Sequence, residues 1–165
     1  MSVNTSDLLF SREAVTQLSR KNQEPQWMLD FRLKALEKAT DLRLPKVEKT
    51  QIRFWNFTKF EPFTVEPVVD AVAELPEAVQ SFVESSDKER NLLVQHNSTV
   101  VYSELQRELE EKGVIFTDLH TALREHSDLV KNYFMQSVKV DDHRLTALHG
   151  ALWSGGAFLY VPKGV

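Results

Sequence analysis

One helix of this chain is expected to be apolar on two sides, which limits how the rest of the chain can be arranged. Pro25 suits the first position of this helix, which should run to about Ala39 or Thr40. At 100° per residue its apolar side chains form two arcs, one of Trp27, Met28, Phe31, Ala35 and Ala39, the other of Leu29, Leu33 and Leu36. We therefore predict that other elements cover this helix on two sides. Arg32 lies between the arcs and, if buried, needs a carboxylate or carbonyl partner.

Shorter helices are predicted around it from capping residues and helical spacing. Their expected spans are Ser11 to Asn22, Pro76 to about Val83, the capping-box motif Ser103–Gln106 to a closing Gly113, Asp118 to about Glu125, and a helix capped by Ser127. The last helix should open at Asp141 or Asp142 and carry Leu145, Leu148 and Leu152 along one face.

Strands are predicted in three places. Residues 91–96 and 99–102 are β-prone runs separated by Asn97 and Ser98, which favours a hairpin, and residues 114–116 and 157–161 form two further short strands.

Residues 41–70 contain prolines and no helical period, so we expect an ordered connector that is pinned by its rings, Phe54, Trp55, Phe57 and Phe60. The fold class expected is α+β, mainly helical with a small β-hairpin or sheet.

The strand at residues 157–161 is followed by a turn, after which the chain stops at Val165. A strand needs a neighbour for its backbone N–H and C=O groups, and no neighbour follows it in the sequence. We therefore expect the chain to be the first part of a longer protein.

Composition excludes several classes of function from this segment. The net charge is −4 and the 20 basic residues are interspersed with acidic ones, which argues against nucleic-acid binding. The N-terminus lacks the pattern of a secretory leader and no long apolar run occurs, so we expect a cytoplasmic protein without a membrane partner. Because there is no cysteine, thiolate nucleophiles and cysteine-ligated zinc or iron–sulfur centres are excluded from this segment.

No catalytic, metal or cofactor site is predicted. His120 and His126 are six residues apart, as are His143 and His149, a spacing that separates two side chains by about 120° on a helix. We expect His149 to be half-buried and the other histidines to lie on the surface. The pair Asp141 and Asp142 is interpreted as a helix cap, with a small Asp/His hydrolase kept as an alternative. The Ser154-Gly155-Gly156 run lacks the spacing of a phosphate-binding loop.

Several stretches of this sequence resemble the SufB/SufD family of iron–sulfur cluster assembly proteins. They are residues 21–36 (KNQEPQWMLDFRLKAL), 113–126 (GVIFTDLHTALREH) and 141–165 (DDHRLTALHGALW onward), and they follow the order that the family uses. Residues 144–149 (RLTALH) and 52–60 (IRFWNFTKF) resemble the SufD branch more than the SufB branch. A SufB-like paralogue and a generic protein-interaction module remain alternatives.

The resemblance implies an architecture and a set of partners. Residues 1–140 would form a mixed, mainly helical N-terminal domain, and residues 141–165 the helix and first strand that lead into a right-handed parallel β-helix core. The family implies a non-enzymatic scaffold that acts with SufB and the ATPase SufC in a cytoplasmic complex. The iron–sulfur cluster belongs to that full complex, so this segment should hold no cofactor. Trp27 and Arg32 are the candidate partner contacts, because they lie on the broad apolar helix.

Overall fold

The computed structural model describes residues 11–57, 65–84 and 91–165. Its helices are α1 (Arg12–Lys21), α2 (Gln26–Asp41), α3 (Glu77–Glu84), α4 (Arg107–Glu111), α5 (Leu119–Glu125), α6 (Ser127–Tyr133) and α7 (Arg144–Leu152). Its strands are β1 (Leu92–His96), β2 (Thr99–Glu104), β3 (Ile115–Asp118) and β4 (Ala157–Tyr160), and two 3₁₀ turns lie at Ile52–Phe54 and Val72–Glu74. The fold class is therefore α+β, as predicted.

The described chain divides into two compact units, each made of two separate stretches. The first unit contains residues 11–57 and 123–153, and the second contains residues 65–84, 91–122 and 154–165. The domain boundary predicted between residues 140 and 141 separates the N-terminal domain from the start of a β-helix core. That boundary stays a prediction.

The first unit is built on α2, which packs against α1 on one side and α7 on another. Ser11 caps α1 as predicted, since its Oγ accepts a hydrogen bond from the Ala14 backbone N–H at 3.1 Å. Pro25 is the residue before α2 and not its first residue. Both expected arcs are at least half-covered, and the fully buried apolar side chains of α2 are Met28 and Ala35. The prediction of a helix covered on two sides is confirmed.

The contact between α2 and α7 depends on small side chains. Gly150 of α7 lies so close to α2 that an added Cβ atom would lie 3.3 Å from the Cβ of Ala35 and from Cε1 of Phe31. It would also lie 2.9 Å from Cγ2 of Val140, just before α7. The buried residues of α7 are Thr146, Ala147, Gly150 and Ala151, whereas the three leucines that were expected along one face are only half-buried. The apolar pattern indicated the wrong face, because close helix packing selects small side chains over large ones here.

The start of α7 also differs from the prediction. His143 and not an aspartate caps this helix, because its Nδ1 accepts a hydrogen bond from the Thr146 backbone N–H, and the Thr146 side chain accepts one from the His143 backbone N–H. Asp142 accepts instead from the backbone N–H of Lys139, which closes the preceding turn. The start of α6 also differs from the prediction by one residue. Ser127 was expected to cap this helix, but it is the first helical residue.

In the second unit, β1 and β2 form the predicted hairpin across Asn97 and Ser98. Asn97 takes a left-handed conformation with φ of 52°, which asparagine tolerates better than most residues. The capping-box prediction at Ser103–Gln106 is wrong, because β2 extends through Glu104 and α4 starts only at Arg107 without a side-chain cap. Gly113 closes the turn after α4 with φ of 83°, as expected.

The last strand, β4, pairs in antiparallel register with β3, from Ile115 opposite Tyr160 to Asp118 opposite Ala157. Its neighbour is thus supplied by an upstream segment, which the sequence analysis did not foresee. Asp118 caps α5 as predicted, by accepting from the Thr121 backbone N–H. The β-helix that this strand was expected to enter stays a prediction.

Gly155, which precedes β4, allows a close approach to the hairpin. A Cβ atom at Gly155 would lie 2.6 Å from the backbone oxygen of Ser98, and the hydroxyls of Ser98 and Ser154 are 2.9 Å apart. Ser154 and Gly155 therefore pack against the hairpin turn.

Residues 41–57 do not match the expected connector. Ile52 is its buried residue and Phe57 is half-buried, while Phe54 and Trp55 are exposed, so these two rings do not pin the segment. Phe60 lies outside the described residues.

Candidate functional site

The most connected polar group in the first unit is the guanidinium of Arg32. Its Nη2 and Nε donate to Oε1 and Oε2 of Glu24 at 2.6 and 2.7 Å, and its Nη1 donates to the backbone oxygens of Ala151 and Trp153, both at 2.9 Å. The ring of Trp153 lies under the guanidinium, with its centroid 4.2 Å from Cζ. The side chains of Arg32 and Glu24 are each 0% exposed. We call Glu24, Arg32 and Trp153 the arginine cluster.

Local sequence explains how the arginine cluster is assembled. Gln23, with φ of 53°, turns the chain after α1, and the Glu24 backbone N–H donates to the oxygen of Ser19. Glu24 then lies eight residues before Arg32, which is about two helical turns along α2. The oxygens of Ala151 and Trp153 lie at the end of α7, where backbone carbonyls have no partner inside the helix. A planar guanidinium can serve a carboxylate and two such carbonyls at once, which a lysine cannot.

The partners of Arg32 match the kind that the sequence predicts, a carboxylate and carbonyls. Because the pair is fully buried, its main effect is to fix the turn before α2 and the end of α7 in one arrangement. Removing one member would leave an uncompensated charge inside the unit. The geometry is that of a structural cluster, since every described contact of the guanidinium lies within this unit.

Trp27 lies near the start of α2 and is half-buried. Its Nε1 donates to Oγ of Ser127 at 2.8 Å, and Nζ of Lys131 is 6.0 Å from the ring centroid. These contacts join α2 to α6. Arg32 is inaccessible in this fold, so it could affect a partner only through the elements that it holds. Partner contact by Trp27 or Arg32 stays a prediction.

The histidines lie in different local environments. Among residues 11–57, 65–84 and 91–165 there is no group of three or more histidine, aspartate or glutamate side chains placed to hold a metal ion. His143 caps α7, and Nε2 of His120 lies 3.0 Å from the oxygen of Ser154. The burial predictions for the histidines are partly wrong, because His149 is exposed, while His120, His126 and His143 are half-buried.

The aspartate pair does not form the site that the hydrolase alternative requires. Oδ2 of Asp141 lies 3.3 Å from Nζ of Lys38, and Asp142 is engaged with the Lys139 backbone. The hydrogen bond from Lys38, aided by a backbone hydrogen bond and the charge of Lys38, lowers the pKa of the Asp141 carboxyl below its usual 3.8. A carboxylate held ionised by a surface lysine is poorly suited to act as a general acid or base near neutral pH.

The sequence analysis did not find the Glu24 partner, the carbonyls of Ala151 and Trp153, or the cap at His143. Glu24 could have been found, because a glutamate beside the proline that precedes α2 is within reach of Arg32. No sequence pattern indicates which backbone carbonyls a buried arginine will contact, so the two carbonyls could not have been predicted.

In the described residues no helix is both long and apolar enough to cross a lipid bilayer.

Comparison with known proteins gives consistent matches. The sequence model of a family described as "SufBD protein N-terminal region" matches residues 12–165. The iron–sulfur cluster assembly protein SufD of Bacillus subtilis (strain 168) is 50% identical over 161 residues, covering 96% of this chain and 37% of that protein. An iron–sulfur cluster assembly SufBD family protein of Staphylococcus epidermidis is 35% identical over 180 aligned positions, covering 100% of this chain and 37% of that protein. A Staphylococcus aureus (strain USA300) protein of the same description is 34% identical, with the same coverage. The chain thus spans 37% of the length of these relatives.

Proposed function

This chain belongs to the SufBD family of iron–sulfur cluster assembly proteins and is most like SufD, and from that premise we propose that it is the N-terminal part of a SufD-like scaffold subunit. In this proposal the whole protein acts in the cytoplasm with SufB and the ATPase SufC, and the nascent cluster is the cargo of the complex. The observation that carries the proposal is the 50% identity to a SufD protein across 96% of this chain.

A scaffold role for this segment agrees with its chemistry. Cluster irons are usually held by cysteine thiolates, and the chain contains none. Its best-formed polar group, the arginine cluster, is fully buried and its described contacts are internal. A group of this kind stabilises one arrangement of helices and is not available to bind iron or sulfide.

We also propose that β4 leads into a parallel β-helix in the whole protein. This rests on the family resemblance of residues 141–165 and on the exposed apolar side chains of β4 and the segment after it, Leu159 and Val161. A solenoid core is completed only by stacking successive turns, so exposed apolar residues are expected at its first turn.

Co-expression with SufB and SufC tests the proposal. The full-length protein should co-purify in a stable complex with both, and a strain that lacks it should lose activity in cluster-dependent enzymes. The scaffold role would be wrong if the protein formed no complex with SufB and SufC while cluster-dependent enzymes stayed active in its absence.

A second experiment addresses this segment directly. Anaerobic reconstitution of the full-length protein with iron and sulfide should give the same cluster content whether or not two of the three half-buried histidines, His120 and His143, are replaced by alanine. A stoichiometric loss of cluster in either variant would assign a ligand to this segment and overturn the scaffold proposal for it.

The candidate contacts Trp27 and Arg32 are tested in the same complex. Trp27→Ala and Arg32→Glu should weaken SufB capture if α2 and the elements it holds form part of the contact. Unchanged capture by variants that remain folded would remove these residues from the interface.

A further inference from the structure

Two large rings stand exposed on the segment of residues 43–57, which we call the 43–57 segment. Phe54 is 78% exposed and Trp55 is 59% exposed, and Val47 of the same segment is also exposed. The other two tryptophans of the chain make contacts within the fold. Trp153 is buried against the guanidinium of Arg32, and Trp27 donates a hydrogen bond to Ser127. Among the described residues, the rings of Phe54 and Trp55 contact Arg53 and Phe57 respectively, both of their own segment, and large aromatic side chains left this exposed are typical of binding surfaces.

The 43–57 segment displays these rings from a defined backbone. The buried side chain of Ile52 anchors it, and a 3₁₀ turn at Ile52–Phe54 closes with a hydrogen bond from the Trp55 N–H to the Ile52 oxygen at 3.0 Å. An isolated bridge between Val47 and Thr50 closes a second turn. Because the backbone is held at both places, the rings are presented before any partner arrives, and less ordering is needed on binding.

A groove of about 560 Å³ lies along the same segment. Leu44, Val47 and Ile52 contribute its apolar lining, and Lys46, Lys49 and Arg53 its cations. Arg53 stacks over Phe54, with its Cζ atom 4.5 Å from the ring centroid. The volume is within the range of protein ligand pockets and can take a few side chains of a peptide.

The charge of the 43–57 segment is opposite to that of the whole chain. It carries four cations, Arg43, Lys46, Lys49 and Arg53, against one acid, Glu48, in a chain whose net charge is −4. A cationic rim around apolar side chains complements an anionic partner that also has apolar side chains.

We propose that the 43–57 segment is a docking site for a segment of another protein in which acidic residues flank large apolar side chains. A second copy of this chain fits poorly, because a two-fold contact would place the same cations against themselves. Four cations are fewer than the 6–10 phosphate contacts of a typical nucleic-acid footprint, and the groove lining is apolar. The proposal is independent of the scaffold role, which would stand if this docking site were absent.

Fluorescence anisotropy with the full-length protein tests this proposal. The probe is a labelled peptide of roughly 12 residues that alternates Glu with Leu and Phe, compared with one in which Lys replaces Glu and one in which Ser replaces the apolar residues. The acidic apolar peptide should bind more tightly than either control. Its affinity should fall as salt rises from about 0.05 to 0.5 M, because the cations contribute through screened charge.

Variants then locate the site. Trp55→Ala should weaken binding by at least about tenfold, and the double change Lys46→Glu with Arg53→Glu should do the same and remove the salt dependence. The matched controls Tyr133→Ala and Lys139→Glu alter exposed residues outside the segment and should change affinity by less than about twofold. If Trp55→Ala fails to fold, photo-crosslinking from benzoylphenylalanine at position 54 to the acidic peptide replaces it.

Four outcomes would overturn the proposal. One is equal affinity of the segment variants and the controls, and another is equal binding of the basic peptide. A third is a dimer that Trp55→Ala abolishes. The fourth is Trp55-dependent binding of oligo-dT or of phosphatidylserine vesicles that is tighter than binding of the acidic peptide.

Discussion

Replacing Arg32 with methionine should destabilise the protein far more than removing any exposed arginine. The change removes four hydrogen bonds and leaves the Glu24 carboxylate buried at 0% exposure without its counter-charge, together with two carbonyl oxygens that lose their donor. Breaking a buried ion pair by removing one partner costs about 3–5 kcal/mol. Domain stabilities are typically about 5–15 kcal/mol, so the variant should lose a large share of its free energy of unfolding.

The chain contains a matched control for this experiment. Arg107 pairs with Glu111 at 2.8 Å, but their side chains are 88% and 64% exposed. Arg107→Met should cost no more than about 0.2–1 kcal/mol, because solvent screens such a pair. The double variant Arg32→Met with Glu24→Leu should be more stable than Arg32→Met alone, since the buried carboxylate that lost its guanidinium is gone.

Urea unfolding followed by far-UV circular dichroism measures these effects, because both the unit that contains Arg32 and the unit that contains Arg107 have helices. The unfolding midpoint should fall while the m-value stays constant, which indicates a change in stability and not in exposed surface. The reasoning is refuted if Arg32→Met costs no more than Arg107→Met, or if the double variant is the least stable of the set.

Three further predictions concern single sites. Gly150→Ala should destabilise by about 1–3 kcal/mol in thermal unfolding, because the added methyl group would crowd Val140 and α2. Gly156→Ala should be nearly neutral, because its methyl group would meet only ordinary van der Waals contacts. His143→Ala should cost about 1 kcal/mol and His143→Asn should retain most of the cap, as read from urea midpoints. The pKa of the Asp141 carboxyl should lie below 3.8 when it is measured by NMR, and Lys38→Met should raise that pKa. Because the pKa of Asp141 is lower in the folded protein, its contribution to stability is present above pH 3.8 and is lost as pH falls through the folded pKa.

Elements defined by local chemistry were predictable from the sequence. The hairpin follows from Asn97 and Ser98 between two β-prone runs, and the turn after α4 follows from Gly113, which tolerates a left-handed conformation. The Ser11 cap likewise involves a contact only three residues away. Each signal lies within a few residues of the structure that it specifies, so one sequence is enough to recognise it.

The failures arise where a distant contact overrides a local preference. Ser103 does not cap a helix as its motif predicted, because cross-strand pairing with β1 continues through Glu104 and keeps Ser103 in β2. The buried face of α7 is set by how closely α2 approaches, which the leucine spacing does not record. For the arginine cluster, the sequence indicated what kind of partner Arg32 needs, but not that it would find two of its acceptors 119 and 121 residues further along the chain.

The discontinuous make-up of the two units affects how the protein folds during synthesis. At about 5–20 residues per second, a ribosome needs about 6–24 s to extend the chain from Arg32 to Ala151. The Glu24 and Arg32 side chains can meet early within the first two helices, but the carbonyls that complete the arginine cluster are made last. The second unit likewise lacks β4 until translation is almost past residue 160. Neither unit can close on the ribosome before nearly the whole of this chain has emerged, and the side of α2 that α7 covers stays exposed to solvent in the meantime.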